Sequence, residues 1–129
     1  KKNQLEGADQ LFQRLGGLEG MMAVMDRQFE CIERDKRLNM FFEGTKMQAI
    51  KRSVTDYLIM TLGGPSDYIG RPLAEAHAVL QITDYHFDCF MQDLQRAMRD
   101  VGSDGETVDE ATVVLELIRK KVLQVHYSK

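Results

Sequence analysis

A histidine occupies a position where an amphipathic helix would carry an apolar side chain. In the stretch GRPLAEAHAVL, His77 falls at helical spacing with Leu73, Ala76 and Leu80. If the proline of this stretch opens a helix, these side chains share one apolar face, and His77 points inward. An inward-facing imidazole either packs as a core residue or binds a ligand, which histidine often does in proteins.

The other chemically active side chains form no familiar catalytic arrangement. The carboxylates are spread along the chain without an acid/base pair, no nucleophile accompanies its base, and neither a P-loop nor a dinucleotide fingerprint is present. Cys31 and Cys89 lack metal-type spacing, and we expect reduced thiols that are buried or half-buried. Hydrolytic and group-transfer chemistry is therefore not expected.

Composition and charge indicate one globular domain over residues 1–129, with a core over residues 9–126. The net charge is −3 and charged residues of both signs are interspersed, so no basic stripe favours nucleic acid. No apolar run approaches a membrane span of about 20 residues, and the start KKNQLEGADQ lacks a signal-peptide core. We expect a soluble, cytoplasmic monomer. The chain begins without methionine, which is compatible with a domain taken from a longer protein.

Helical periodicity covers almost the whole chain and predicts an all-α domain. Asp9 is expected to cap a short first helix, which the glycine pair at 16–17 ends with a sharp turn. Two long helices follow, the first ending near Arg34 and the second at the glycine pair 63–64. Their predicted apolar stripes are Leu18, Met21, Met22, Met25, Phe29 and Ile32, and then Met47, Ile50, Val54, Tyr57, Leu58 and Leu62.

Three further helices are predicted in the second half of the chain. The turn-rich loop PSDYIGR leads to the short helix that carries His77. Thr83 or Asp84 is expected to cap the next helix, which ends at Gly102, and Thr107 with the glutamate three residues later matches a capping box for the last helix. Their predicted core faces are Phe87, Phe90, Met91, Leu94, Met98 and Val101, and Ala111, Val114, Leu115, Ile118, Val122 and Val125. Periodicity alone is typical of an ordinary helical bundle.

An ordered set of short motifs resembles the truncated, two-over-two haemoglobin family, with a group-one-like pattern. LFQRLGG resembles the family's opening, MFF its phenylalanine pair, LGG its second glycine pair, and YIGR followed by EAH its approach to the haem ligand. The pattern fits residues 16–77 without a gap and continues with a shorter connection around residues 82–85. The resemblance implies a globin-like two-over-two helical sandwich that encloses one haem b (iron protoporphyrin IX) without covalent attachment.

The resemblance also implies roles for individual side chains. His77 falls on the proximal histidine, whose imidazole nitrogen binds the haem iron. Phe42 falls on the phenylalanine that packs flat against the porphyrin, whereas Phe41 is expected to face the protein core. Of the remaining histidines, His86 is expected in an exposed capping turn, with a place near the haem edge as the alternative, and His126 in the tail; neither is the predicted iron ligand. Further residues implied to line the haem cavity, although each would also serve as a core residue, are Tyr57, Leu58, Leu73, Leu80 and Phe87.

The chain departs from the family pattern on the distal side. Phe29 replaces the usual tyrosine, while Ile50 and Val54 replace the usual glutamines or other polar residues. Ser53 stands where some relatives carry a histidine or lysine that reaches the iron, and a serine is too short for this. Lys51 and Arg52 are expected on a solvated helix face, where one or the other meets a haem propionate, and iron ligation is the alternative. The distal pocket is therefore expected to be largely apolar.

Three functions follow from these expectations. The main prediction is binding of oxygen, carbon monoxide or nitric oxide, with nitric oxide dioxygenation when a partner reductase supplies electrons. The alternative is a haem-based redox or gas-sensing module with an endogenous sixth ligand, read by a partner or a fused domain. The third is a haem-free helical bundle that serves in protein interaction.

Overall fold

A computed structural model of the chain describes residues 11–42, 47–65 and 83–119. All regular secondary structure in these three ranges is helical, and none of it is a strand. The predicted all-α class is therefore confirmed. Several predicted features lie outside the described residues, namely Asp9, most of the loop PSDYIGR, Leu73, Ala76, His77, Leu80, Val122, Val125 and His126.

Four α-helices and one 3-10 helix lie wholly within the described ranges, and residues 11–14 are helical as well. The α-helices are α1 (Gly17–Arg34), α2 (Met47–Thr61), α3 (Asp84–Asp100) and α4 (Gly105–Glu116), and the 3-10 helix (Asn39–Phe42) lies between α1 and α2. Helix α1 packs against both α2 and α3, and α3 packs against α4. The helices thus form two pairs joined through α1 and α3, with the hydrophobic core between them.

The sharp turn before α1 depends on two glycines. Gly16 has a φ of 99°, in the left-handed region that favours glycine. A Cβ atom added to Gly20 would lie 2.0 Å from the carbonyl oxygen of Leu15. The chain can therefore fold back over the first turn of α1 only because position 20 carries no side chain. The predicted turn at 16–17 is confirmed.

We predict that Gly20→Ala lowers the free energy of unfolding by about 1 to 3 kcal/mol, because the backbone around Leu15 must move to admit the methyl group. Urea unfolding followed by circular dichroism measures this effect. Gly105→Ala is the matched control, since a Cβ at this exposed first residue of α4 meets nothing within 4 Å. We expect the control to be neutral or stabilising by up to about 1 kcal/mol. Equal losses in the two variants would contradict the role of the close approach.

The caps of the last two long helices agree with the predictions only in part. Thr83 caps α3, and its Oγ accepts the backbone N–H of His86 at 3.3 Å, which confirms one of the two predicted caps. The capping box predicted for Thr107 with Glu110 is wrong. Helix α4 begins earlier, because the carboxylate of Asp104 accepts the backbone N–H of Thr107 at 2.8 Å. This hydrogen bond also lowers the pKa of Asp104.

The predicted core faces differ from the structure at their edges. Leu18 and Met22 are 55% and 52% exposed, and Val101 is 41% exposed. The core instead includes Val24 and the fully buried Gln28, whose amide donates a hydrogen bond to a backbone carbonyl of α3. The reason is that α1 packs against two helices at once, so that its buried face is wider than a single stripe and turned toward α3.

Candidate functional site

An apolar cavity lies between α1, the 3-10 helix, α2, α3 and α4. Its empty space, including the open mouth, is about 760 Å³. Tyr57 and His86 are the only lining residues among the described part of the chain whose side chains carry nitrogen or oxygen. A concave, mainly aromatic and aliphatic wall is typical of a site for a large apolar ligand. The lining residues are Phe29, Leu38, Phe41, Phe42, Ile50, Val54, Tyr57, Leu58, His86, Phe87, Phe90, Met91, Leu94, Leu115 and Ile118.

The 3-10 helix places two adjacent phenylalanines on the cavity wall. Successive residues of a 3-10 helix turn by about 120°, so neighbouring rings meet different partners. The ring of Phe42 lies 6.0 Å from that of Phe29 on α1, edge to face. The ring of Phe41 lies 4.6 Å from that of His86 on α3, also edge to face. Phe41, expected to face the core, therefore lines the cavity as well.

His86 belongs both to the cap of α3 and to the cavity wall. Its Nδ1 atom lies 2.9 Å from Oγ of Thr83 and 3.4 Å from the Thr83 backbone nitrogen. Thr83 and His86 therefore cap the start of α3 reciprocally. His86 is half-buried rather than exposed, in contrast to the expected surface position.

One arginine ties the start of α3 to the end of α4 behind the cavity. Arg119 forms ion pairs with Asp84, Asp88 and Glu116, and its guanidinium carbon lies 4.5 Å from the ring centroid of Phe87. These hydrogen bonds raise the pKa of Arg119 and lower that of Glu116. The arrangement fixes the Phe87 ring, which lines the cavity. We call this set the Arg119 clasp. Sequence reasoning missed it, because the aspartates lie more than 30 positions away in the chain.

The predicted site residues on α2 divide between two faces of the helix. Residues at 50, 54, 57 and 58 line the cavity, whereas 51 and 53 lie at the two edges of that face and do not line it. Lys51 lines a separate cleft between α1 and α2, and its Nζ pairs with the carboxylate of Asp26 on α1. Ser53 is exposed. The predicted residues that line the cavity are Phe42, Ile50, Val54, Tyr57, Leu58 and Phe87.

Three comparisons with known proteins agree with this architecture. A family model described as bacterial-like globin matches residues 10–124. A group 1 truncated hemoglobin from Tetrahymena pyriformis is 32% identical over 113 residues, which cover 88% of this chain and 93% of that protein. Its crystal structure in the Fe(III) form has a TM-score of 0.82, at 32% identity, and covers 88% of this chain and 97% of that one.

A cyanobacterial structure is also similar. The 2/2 hemoglobin of a Synechococcus species, solved in the cyanomet state with covalently attached heme, has a TM-score of 0.80 at 26% identity. The match covers 88% of this chain and 98% of that one. The fold of two helix pairs is therefore shared with proteins from distant organisms.

The helix arrangement and the apolar cavity define a globin. Within that class, the chain belongs to the truncated haemoglobins of the bacterial-like globin family, and the Tetrahymena pyriformis relative is a group 1 protein. The predicted two-over-two helical sandwich is thereby confirmed. No helix in the described ranges is both long and apolar enough to span a bilayer.

Membership of the globin family implies haem binding, and the cavity fits this group. Porphyrin is a large, flat and mostly apolar ring, and aromatic side chains pack well against such rings. The wall supplies aromatic rings from α1, the 3-10 helix, α2 and α3.

Proposed function

We propose that this chain binds diatomic gases through a haem b that is held without covalent attachment, with His77 as the proximal ligand. The observation that carries the proposal is the almost entirely apolar, largely aromatic wall of the cavity between the helices. When bound, the haem supplies an iron atom that can take oxygen, nitric oxide or carbon monoxide. Membership of the globin family supports this assignment.

The side chains of the cavity hold and shield the cofactor in this proposal. His77 anchors it through its imidazole, and Phe42 packs against its flat face. A contact between Lys51 and a haem propionate requires the lysine to exchange its Asp26 partner for the propionate. Ser53 stays a predicted neighbour of the site. The other residues proposed to contact the haem exclude water from it; they are Ile50, Val54, Tyr57, Leu58, Leu73, Leu80 and Phe87.

The distal wall determines which gases the cavity favours. Phe29, Ile50 and Val54 all line the cavity, and they bring only hydrocarbon to it. Such a wall favours ligands that need no hydrogen bond from the protein.

The proposal includes nitric oxide dioxygenation, for which a partner reductase supplies the electrons. It also includes a single domain that acts as a monomer in the cytoplasm.

Hemin titration of the purified chain tests the proposal. We expect a Soret band that saturates at one hemin per chain and shifts when the reduced protein is exposed to carbon monoxide. A chain without a Soret band after hemin addition would overturn the proposal and leave the haem-free bundle.

We predict that Phe42→Ala speeds haem transfer to apomyoglobin by about tenfold. Truncating a fully buried phenylalanine costs about 3 to 5 kcal/mol, and Phe42 is half-buried, so that a loss of about 1.4 kcal/mol is expected. Met40→Ala is the matched control on the same 3-10 helix, since Met40 is half exposed and does not line the cavity. A similar rate in both variants would remove Phe42 from the haem wall.

A further inference from the structure

A polar cluster fastens the corner after α1 to helix α3. Arg37 donates from Nε and Nη2 to the two carboxylate oxygens of Asp35, at 2.8 Å each. Its Nη1 donates to the side-chain oxygen of Gln92 on α3, at 2.9 Å. Asp93 on α3 lines the same cleft as Asp35 and Arg37, and its carboxyl group is close enough to that of Asp35 for the two to share a hydrogen bond. We call Asp35, Arg37, Gln92 and Asp93 the corner cluster.

The hydrogen bond between two carboxyl groups needs one proton. Asp93 is the buried member of the pair, with 8% of its surface exposed, and its Oδ2 has no hydrogen-bond partner among the described residues. Burial and the neighbouring Asp35 raise the pKa of Asp93 to about 7. The guanidinium of Arg37, which donates to both carboxylate oxygens of Asp35, holds the pKa of Asp35 well below its usual range. The proton therefore resides on Asp93, and the ionised form of this side chain is poorly stabilised.

Several charged groups surround the carboxyl pair. Arg37 and Arg96 favour ionisation of Asp93, but burial and Asp35 outweigh them. Cys89, one helical turn before Asp93, lies close enough to Arg37 to raise the pKa of its guanidinium. The other titratable or charged residues that line the adjoining cleft are Arg27, Glu30, Cys31, Arg34 and Lys36.

The corner leads directly into the cavity wall. The backbone carbonyl of Asp35 accepts the N–H groups of Leu38 and Asn39, at 2.9 and 2.8 Å. Leu38 lines the cavity, and Asn39 begins the 3-10 helix that carries Phe41 and Phe42. The position of both rings therefore depends on how firmly the corner is held against α3.

We propose that Asp35, Arg37 and Asp93 are positioning residues of the cavity, and that the proton shared by the two carboxyl groups regulates how firmly the 3-10 helix closes on the bound haem. The inference rests on the proposed function, because haem is the ligand concerned. When the proton leaves to water, two carboxylates face each other and Arg37 neutralises only one of them. The corner then separates from α3, and the phenylalanine wall loosens.

The pH range of this effect follows from the two states of Asp93. The pKa is about 7 when the corner is closed and close to the ordinary value of 3.8 when the side chain is in water. The closed corner is therefore fully stabilised below the ordinary value, and the stabilisation declines as the pH rises to about 7. Within this window, the fraction of molecules in which the corner is open rises by up to about tenfold per pH unit. Above about pH 7 this fraction is constant.

Haem transfer to apomyoglobin between pH 5 and pH 8 tests the proposal, with wild type compared with Asp93→Asn. An asparagine keeps the shape and donates an N–H to Asp35 but cannot ionise. We expect the ratio of the wild-type rate to the variant rate to rise by about fiftyfold from pH 5 to pH 7 and then to level off. The ratio cancels the contributions of all other titrating groups. Asp109→Asn, which removes an exposed carboxylate of α4, is the matched control and should give a flat ratio.

Carbon-13 NMR of labelled aspartate carboxyl groups gives a second readout that does not depend on haem release. We expect one carboxyl signal that titrates near pH 7 and is missing in Asp93→Asn. Titration of every aspartate near pH 4 would overturn the proposal, and so would a titration near pH 7 accompanied by a flat rate ratio. A chain that takes up no hemin would overturn the proposed function and with it the regulation of the cavity. The NMR titration distinguishes the two failures, because it reports on the carboxyl pair whether or not haem binds.

Discussion

Replacing His77 with alanine is expected to speed haem loss by at least about a hundredfold and to abolish the five-coordinate ferrous spectrum. Removing a hydrogen bond that merely supports a metal-bound histidine weakens metal affinity by about 10 to 100-fold, so that loss of the ligand itself costs more. Hydrophobic contact with the cavity wall retains some cofactor. Absorption spectra and transfer to apomyoglobin measure both effects, and added imidazole should restore the spectrum.

The other two histidines provide the controls for this experiment. The chain has three histidines, and of these His86 lines the cavity. The resemblance assigns iron ligation to His77 and gives His86 no such role, so His86→Ala should keep the ferrous spectrum of wild type. His126→Ala should also keep it. If His86→Ala lost the spectrum while His77→Ala kept it, His86 would be the proximal ligand and the assignment made from the resemblance would be wrong.

Introducing a hydroxyl group at position 29 is expected to slow oxygen dissociation by about tenfold to a hundredfold. Phe29 is 3% exposed and lines the cavity, so that Phe29→Tyr adds a hydrogen-bond donor to an apolar wall. A hydrogen bond to a charged group contributes about 1.5 to 3 kcal/mol, which corresponds to this range of rates. Carbon monoxide develops little negative charge when bound, and its dissociation rate should change much less. Stopped-flow replacement of oxygen by carbon monoxide measures the effect.

Two further variants separate this result from competing accounts of the distal side. Tyr57 lines the cavity, and Tyr57→Phe tests whether its hydroxyl already serves as the donor. Lys51 pairs with Asp26 outside the cavity, so Lys51→Ala should leave the ferric spectrum unchanged. An unchanged oxygen rate in Phe29→Tyr, together with a change from low spin to high spin in Lys51→Ala, would replace the apolar pocket with lysine ligation.

Local features of the fold follow well from the sequence. The glycine pair at 16–17 and the end of α1 at Arg34 were both predictable, because backbone conformation and helical period depend on neighbouring residues. The helical spacing also groups Ile50, Val54 and Leu58 on one face of α2, and that face lines the cavity. The start of α4 was misjudged, since Asp104 and Thr107 offer competing caps and only the packed helix distinguishes them.

Features that join distant parts of the chain do not follow from the sequence. The Arg119 clasp and the carboxyl pair of Asp35 with Asp93 each connect residues that lie far apart. From the sequence alone, a charged residue on a helix surface is interpreted as solvent-exposed, because its neighbours in space are not known. The same holds for Gln28, which an apolar pattern places on no predicted core face although it is completely buried. The role of His77 rests on the resemblance and stays a prediction, because it lies outside the described residues.

The Arg119 clasp has a consequence for the boundary of the folding unit. Its single guanidinium holds carboxylates from α3 and α4 together, and the same group covers the ring of Phe87. A recombinant fragment that stopped at Glu116, the last residue of α4, would retain every helix defined above but lose this junction and leave three carboxylates close together. A fragment that keeps this junction must therefore extend at least through residue 119, beyond the end of α4.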